Sequence, residues 1–131
     1  MMVETSYVLN LWAGESKAVA KARELDESGE PIYIPTPVLF ELWEGVARSH
    51  RPRDEIEKIR HFVESHDILP FSDVDAQQAG LISGKMSGTG RTMGTVDVQL
   101  SGMAKARGLA LLTFDKRFRE MSKEIDVVLI E

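Results

Sequence analysis

The sequence contains no cysteine among its 131 residues. Disulfide bonds and thiolate metal sites are therefore excluded, and a cytoplasmic location is expected. No apolar run approaches the roughly 18 residues that a membrane-spanning helix needs, so no membrane segment is expected. The first residues also lack a basic segment followed by an apolar core, which predicts that there is no signal peptide.

Positive charge is also in short supply, because 21 acidic residues outnumber 16 basic ones and give a net charge of −5. An acidic protein gains no overall electrostatic attraction to nucleic acid. If it acts on RNA, it must use a metal ion and local basic residues. The composition is otherwise globular, with 43% hydrophobic and 28% charged residues, which argues against disorder. The length fits a single domain over residues 1–131 that can bury a core.

Short apolar segments alternate with helical patterns along the chain. Strands are predicted at residues 2–3, 32–34, 68–69, 109–113 and 127–130. Helices are predicted at residues 6–12, 15–28, 36–49, 53–65, 72–86 and 95–108, with a short helix after Asp115. Thr36 is the expected N-cap of its helix, and Ser72 with Asp75 forms a variant of the capping box. The alternation predicts an α/β fold of three layers, with a small, mainly parallel sheet between helices.

Two acidic residues follow predicted strands. Glu4 comes after the first strand, and Asp115 comes after the apolar strand LALLTF. Ligands of open parallel sheets bind outside the carboxyl ends of the strands, so the two carboxylates meet if these strands are neighbours. Each residue also has a purely structural explanation. Glu4 is suited to a helix N-terminus, and Asp115 is suited to capping a short helix.

A third acidic residue, Glu41, lies on a predicted helix but off its apolar stripe. That stripe consists of Leu39, Leu42, Trp43 and Val46. Gly45 follows Glu41 by one helical turn, and glycine inside a helix costs about 1 kcal/mol relative to alanine. The glycine therefore predicts close packing or a nearby site. The alternative for Glu41 is a solvated helix face.

A fourth acidic residue, Asp97, lies in the first turn of the helix TVDVQLSGMAKARG. An acidic residue there commonly stabilises the helix dipole, which is its structural alternative. Ser101 and Ala104 lie on a face of small residues, and Gly94 precedes the helix. These small residues permit close approach of another group to Asp97. The functional interpretation of all four acidic residues depends on their meeting at one edge of the sheet.

Four segments together resemble the PIN-domain ribonucleases, and within them the VapC-type toxins of prokaryotic toxin–antitoxin pairs. These segments are VETSYVLNL, VLFELWEGV, GTVDVQLSGMAKARGL and LLTFDKRF. They occur in the family's order and cover nearly the whole chain. The resemblance implies a PIN-like fold, hydrolysis of RNA phosphodiester bonds, an antitoxin protein as partner and a homodimer.

The resemblance also implies which residues act. Glu4, Glu41, Asp97 and Asp115 match the acidic quartet that is catalytic and binds Mg²⁺ or Mn²⁺. Thr5, Ser6 and Thr113 match supporting polar positions. Arg91, Lys116 and Arg117 flank this site and are candidates for contact with RNA phosphates, with solvated surface charge as the alternative. Leu11, Trp12, Phe40 and Trp43 are candidates for a partner surface, with a place in the core as the alternative.

The chain departs from the family at Glu4, where aspartate is usual, and at Asn10, where many relatives carry an acid. The extra methylene displaces the carboxylate by on the order of 1.5 Å unless a rotamer compensates. Mg²⁺ demands near-ideal octahedral geometry at about 2.0–2.1 Å. Reduced activity or a preference for Mn²⁺ is therefore expected. A PIN-fold RNA- or protein-binding module with weakened or no catalysis is the alternative. An unrelated α/β phosphohydrolase is a third hypothesis, although VETSYVLNL contains no glycine for a phosphate loop.

Overall fold

The computed structural model describes residues 1–131 and contains a five-stranded sheet in which all neighbouring strands are parallel. The strands are β1 (Met2–Val3), β2 (Tyr33–Pro35), β3 (Asp67–Leu69), β4 (Leu111–Thr113) and β5 (Val127–Leu129). Their order across the sheet is β3-β2-β1-β4-β5. The predicted α/β class is confirmed, and the first strand lies beside the fourth at the centre.

Helices connect the strands and flank the sheet. They are α1 (Thr5–Trp12), α2 (Ser16–Ser28), α3 (Thr36–Arg48), α4 (Pro52–Ser65), α5 (Asp73–Gly88) and α6 (Thr95–Arg107), with a 3₁₀ helix at Lys116–Met121. Helices α2 and α6 end at Gly29 and Gly108, whose φ angles of 71° and 63° favour glycine. None of the helices is both long enough and apolar enough to cross a membrane.

The two central strands form the middle of the core. Met2 and Val3 of β1 and Leu111 and Leu112 of β4 are fully buried. Helices cover strands of a parallel sheet on both faces, which explains why these segments are continuously apolar instead of alternating. The core therefore surrounds the two strands that lead into Glu4 and Asp115.

Two local predictions of helix capping had different outcomes. The capping box of Ser72 and Asp75 is confirmed, with reciprocal hydrogen bonds between their side chains and backbone N–H groups. The prediction that Thr36 is an N-cap is wrong, because Pro35 takes that position and Thr36 is the first helical residue. The Thr36 hydroxyl instead accepts a hydrogen bond from the Phe71 N–H at 3.1 Å.

Helix α3 packs differently from its predicted stripe. Leu42 is buried, but Trp43 is 47% exposed. Val38 and Leu42 are buried and lie one turn apart on the same face of α3. Because successive helical residues point about 100° apart, Trp43 faces away from that buried side. Of the two alternatives predicted for Gly45, close packing is not found, since no atom outside the adjacent residues and the nearby backbone of α3 lies within 4 Å of the position that its Cβ would take.

The closest helix contact lies between α5 and α6. A Cβ on Gly102 would lie 2.5 Å from the backbone nitrogen of Ala79, so only glycine fits there. At the end of α6, Arg107 donates to the buried carboxylate of Asp75 at 2.9 Å and to the Pro70 carbonyl at 2.8 Å. These contacts fix α6, and with it the first-turn residue Asp97, against the rest of the fold.

Candidate active site

The site lies at the carboxyl ends of β1 and β4, where the order of strands in the sheet changes direction. These strands pair in parallel, with Met2 opposite Leu111 and Val3 opposite Leu112. The Glu4 N–H extends the pairing by donating to the Leu112 carbonyl at 2.9 Å. Because this is the topological switch point of the sheet, it is where a ligand is expected in an open α/β fold.

Glu4 is only 5% exposed, and its carboxylate accepts hydrogen bonds from three donors. Its Oε1 accepts from the hydroxyls of Ser6 and Thr113, the latter at 2.5 Å, and its Oε2 accepts from the Ser6 N–H at 3.1 Å. Glu4 is thereby the N-cap of α1, which agrees with the structural explanation that placed it at a helix N-terminus. The same hydrogen bonds hold its carboxylate at the edge of the sheet.

The hydroxyls of Ser6 and Thr113 also determine the path of the chain after β4. Ser6 Oγ accepts from the Phe114 N–H at 2.9 Å, and Thr113 Oγ1 accepts from the Asp115 N–H at 2.9 Å. Ser6 and Thr113, two of the three residues that the resemblance suggested as supporting, therefore connect Glu4 to the segment that carries Asp115. Their role is local and geometric, because each hydroxyl donates to one group and accepts from another.

Glu41 is held by a neighbouring helix. The Thr5 hydroxyl at the start of α1 donates to Glu41 Oε1 at 2.6 Å, which joins α1 to α3. Both residues border a groove of about 370 Å³ that also contains Leu9, Trp12 and Gly45. Gly45 thus borders an open groove beside Glu41 and makes no close contact with another helix.

Asp97, at the start of α6, is 8% exposed and is the most strongly perturbed acid at this edge. Its pKa is raised to about 6, chiefly by burial. The nearby Arg117 charge opposes this rise, and the carboxylates of Glu4, Asp115 and Glu41 contribute to it. Glu4, Asp115 and Glu41 therefore each lie near enough to Asp97 to affect its pKa, although Glu41 and Asp97 border different grooves.

Asp115 is paired with Arg117, two residues later in the chain. The guanidinium approaches both carboxylate oxygens, with its Nη2 2.6 Å from Oδ2, and the Arg117 N–H donates to Oδ1 at 2.9 Å. These hydrogen bonds lower the pKa of Asp115 despite its partial burial. The same Nη2 lies 3.5 Å from Asp97 Oδ2, so one guanidinium bridges two acids.

The chemistry of this donor set suits a hard cation. The oxygen ligands are carboxylates with hydroxyls beside them, without histidine or thiolate, and this is the set that Mg²⁺ and Mn²⁺ prefer. Arg117 already places positive charge between Asp97 and Asp115. As the side chains stand, no three acidic or histidine residues surround a common point.

Basic residues line the groove next to Asp97. Arg91, Lys116 and Arg117 lie there as the sequence suggested, and Arg119 joins them. Arg91 is paired with Glu120 at 2.7 Å, and Arg119 is paired with Glu131. Sequence reasoning missed Arg119, although the segment KRFR puts it on the same short helix as Lys116 and Arg117.

The candidate partner residues divide into two groups. Phe40 and Trp43 are 57% and 47% exposed on α3. Leu11 and Trp12 are half-buried, and the Trp12 ring packs edge-on against Phe62 at 5.9 Å. Only α3 therefore presents large aromatic side chains to solvent.

Comparison with known proteins agrees with this architecture. A family model described as PIN domain matches residues 1–124. The chain is 31% identical over 84 residues to a tRNA(fMet)-specific endonuclease VapC of Shigella flexneri. The aligned region covers 64% of this chain and 64% of that relative.

Solved structures share the fold at low sequence identity. VapBC2 of Rickettsia felis, bound to a DNA fragment from its promoter, has a TM-score of 0.89 at 20% identity, covering 99% of this chain and 98% of the other. DNA-bound VapBC of Salmonella typhimurium has a TM-score of 0.85 at 20% identity, covering 97% and 95%. Because the family model spans nearly all of the sequence, the chain belongs to the PIN domain family.

Proposed function

We infer that the protein is a metal-dependent endoribonuclease and the toxin of a toxin–antitoxin pair, acting as one domain over residues 1–131. One observation carries most of the inference. The carboxylates of Glu4, Glu41 and Asp115 lie near enough to Asp97, at the edge of a PIN-domain sheet, to raise its pKa, and the Arg117 guanidinium bridges Asp97 and Asp115. The Shigella relative supports RNA as the substrate class, since its name describes an endonuclease specific for a transfer RNA.

Asp97, Asp115, Glu4 and Glu41 are the proposed ligands of Mg²⁺ or Mn²⁺ and the proposed catalytic residues. When bound, such an ion supplies charge stabilisation to a phosphodiester undergoing hydrolysis. Asp97 and Asp115 are the best placed, because they already share the Arg117 guanidinium. Thr5 orients Glu41 through its hydroxyl, and the Ser6 and Thr113 hydroxyls orient Glu4.

The hydrogen bonds of Glu4 suggest which of its oxygens is the ligand. Oε1 accepts from two hydroxyls, which uses its acceptor capacity, whereas Oε2 accepts only one N–H. Oε2 is therefore the proposed metal-binding atom.

RNA is proposed to approach along the groove beside Asp97. Its phosphates would contact Arg91, Lys116 and Arg117, which concentrate positive charge on an otherwise acidic protein. Local basic residues are required here because the net charge opposes nucleic-acid binding.

The proposed partners are an antitoxin protein and a second copy of the chain, in the cytoplasm. The structural neighbours from Rickettsia and Salmonella are described as VapBC, which supports a protein partner of this kind. The exposed Phe40 and Trp43 supply apolar area for such contacts.

The decisive experiment measures cleavage of RNA with Mg²⁺ or Mn²⁺, with chelator, and with the Asp97→Asn variant. Chelator and Asp97→Asn should each abolish cleavage. Asp73→Asn is the matched control, because it makes the same chemical change at an exposed position in the first turn of α5. Cleavage that survives in Asp97→Asn would place the activity elsewhere, and RNA binding without cleavage would favour the binding-module alternative.

A further inference from the structure

Arg117 stands out because it pairs with two proposed metal ligands and yet remains largely in solvent. Its side chain is 69% exposed, whereas those of Asp97 and Asp115 are 11% and 20% exposed. Its Nη2 lies 2.6 Å from Asp115 Oδ2 and 3.5 Å from Asp97 Oδ2. The guanidinium thus covers the pair of acids from the solvent side.

This arrangement creates a competition for the same oxygens. A divalent cation held by Asp97 and Asp115 would compete with Arg117 for their carboxylate oxygens. A guanidinium and a metal ion held that closely would repel each other in a site of reduced dielectric. Because Arg117 has little buried surface to hold it in place, its side chain is free to turn outward at small cost.

An anionic ligand in the groove beside Asp97 would give Arg117 a second partner. Lys116 precedes it, and Arg91 lines the same groove. An anionic phosphate in that groove would face all three cations, and the planar guanidinium matches phosphate oxygens with two parallel N–H donors.

We propose that Arg117 alternates between two anionic partners: it pairs with Asp97 and Asp115 when no divalent cation is bound, and it pairs with an RNA phosphate when a cation replaces it. This inference rests on the proposed function, since it assumes both the cation and the RNA. It makes Arg117 a substrate-binding residue whose release is coupled to metal binding. Removal of the side chain should therefore have opposite effects on the two ligands.

The test compares the wild type with Arg117→Gln in two measurements. Mn²⁺ binding to the RNA-free protein is measured by electron paramagnetic resonance, and Arg117→Gln should bind about two- to fivefold more tightly, the range expected for losing one exposed ion pair. The KM for an RNA oligonucleotide at saturating Mn²⁺ should rise in the same variant. Arg117→Lys should give intermediate values, because it retains the charge without the paired donors.

Arg119→Gln is the matched control, since it removes the same charge from the same short helix without touching Asp97 or Asp115. Its Mn²⁺ affinity should equal that of the wild type. Unchanged or weaker Mn²⁺ binding in Arg117→Gln, or an equal gain in Arg119→Gln, would overturn the inference while leaving the ribonuclease proposal intact. If the wild type and Asp97→Asn both fail to bind Mn²⁺, the metal site and the inference fall together.

Discussion

The Thr113 hydroxyl donates to the Glu4 carboxylate at 2.5 Å, across 109 residues of sequence. Thr113 is the last residue of β4, and Glu4 directly follows the neighbouring strand β1. This hydrogen bond therefore joins the ends of the two strands beneath the proposed site. Replacement of Thr113 by valine preserves shape but removes both this donor and the acceptor of the Asp115 N–H.

Thr113→Val should destabilise the protein by about 1–3 kcal/mol, the cost of leaving buried polar groups without partners. Urea denaturation at neutral pH measures this change. Thr92→Val, at an exposed position, is the control and should shift stability little. Equal stability of the two variants would mean that the hydrogen bond contributes nothing net.

Substitutions at Glu4 should separate its charge from its length. Glu4→Gln keeps the length but removes the negative charge, so it should weaken Mg²⁺ and Mn²⁺ binding. Glu4→Asp keeps the charge and the helix cap while withdrawing the carboxylate from the Ser6 and Thr113 hydroxyls. We expect it to bind Mg²⁺ at least as tightly as the wild type and to cleave RNA faster. Titration calorimetry compares the three proteins, and identical affinities would remove Glu4 from the site.

The pKa of Asp97 predicts a dependence of stability on pH. Burial raises that pKa to about 6, above the value of about 3.9 in an unfolded chain. The folded state therefore favours protonated Asp97, and the associated stability is complete below pH 3.9 and is lost as pH rises through 6. At 1.36 kcal/mol per pKa unit, the loss is about 3 kcal/mol.

Asp97→Asn should consequently be more stable than the wild type at pH 8 with chelator present, and this advantage should shrink towards pH 5. Urea denaturation at several pH values measures it. Asp75→Asn supplies a control of opposite sign. Burial alone would raise the pKa of Asp75, but its hydrogen bonds from Arg107 and Ser72 lower it. Stability from ionised Asp75 is present above its unfolded pKa, so Asp75→Asn should destabilise at pH 8.

Two glycine substitutions test the packing that holds α6. Gly102→Ala would place a methyl group 2.5 Å from the Ala79 backbone nitrogen, and backbone cannot move aside cheaply. We expect a loss of about 1–3 kcal/mol or more, together with weaker metal binding because the start of α6 carries Asp97. Gly80→Ala, at an exposed helical position with no atom within 4 Å, should instead gain about 0.5–1 kcal/mol. Thermal unfolding distinguishes the two, and a stable Gly102→Ala protein would contradict the packing.

Features that depend on nearby sequence were predictable, whereas those that depend on distant partners were not. The Ser72 and Asp75 capping box spans three residues, and it formed as expected. Thr36 matches the local sequence pattern of a cap, but its hydroxyl bonds to Phe71, which lies 35 residues away. The local pattern contains no sign of that partner.

The same distinction applies to the glycines and to the site. Gly45 and Gly102 look alike in sequence, but only the fold brings Ala79 against Gly102. Strands β1 and β4 are neighbours, which is the condition under which the sequence predicted that Glu4 and Asp115 lie at one edge of the sheet. The bridge from Arg117 to Asp97 could not be anticipated, because it depends on how α6 lies against the segment after β4.

The connection between Glu4 and Thr113 also affects when the site can form during synthesis. A ribosome makes Glu4 109 residues before Thr113, with Asp115 following shortly after. Long-range contacts of this kind form only after the intervening chain has been made and closed. A nascent or truncated chain that ends before β4 therefore lacks both the hydroxyl that positions Glu4 and the carboxylate of Asp115. The proposed nuclease site therefore cannot assemble before β4 and Asp115 have been made, and a chain that ends before them is expected to cleave no RNA.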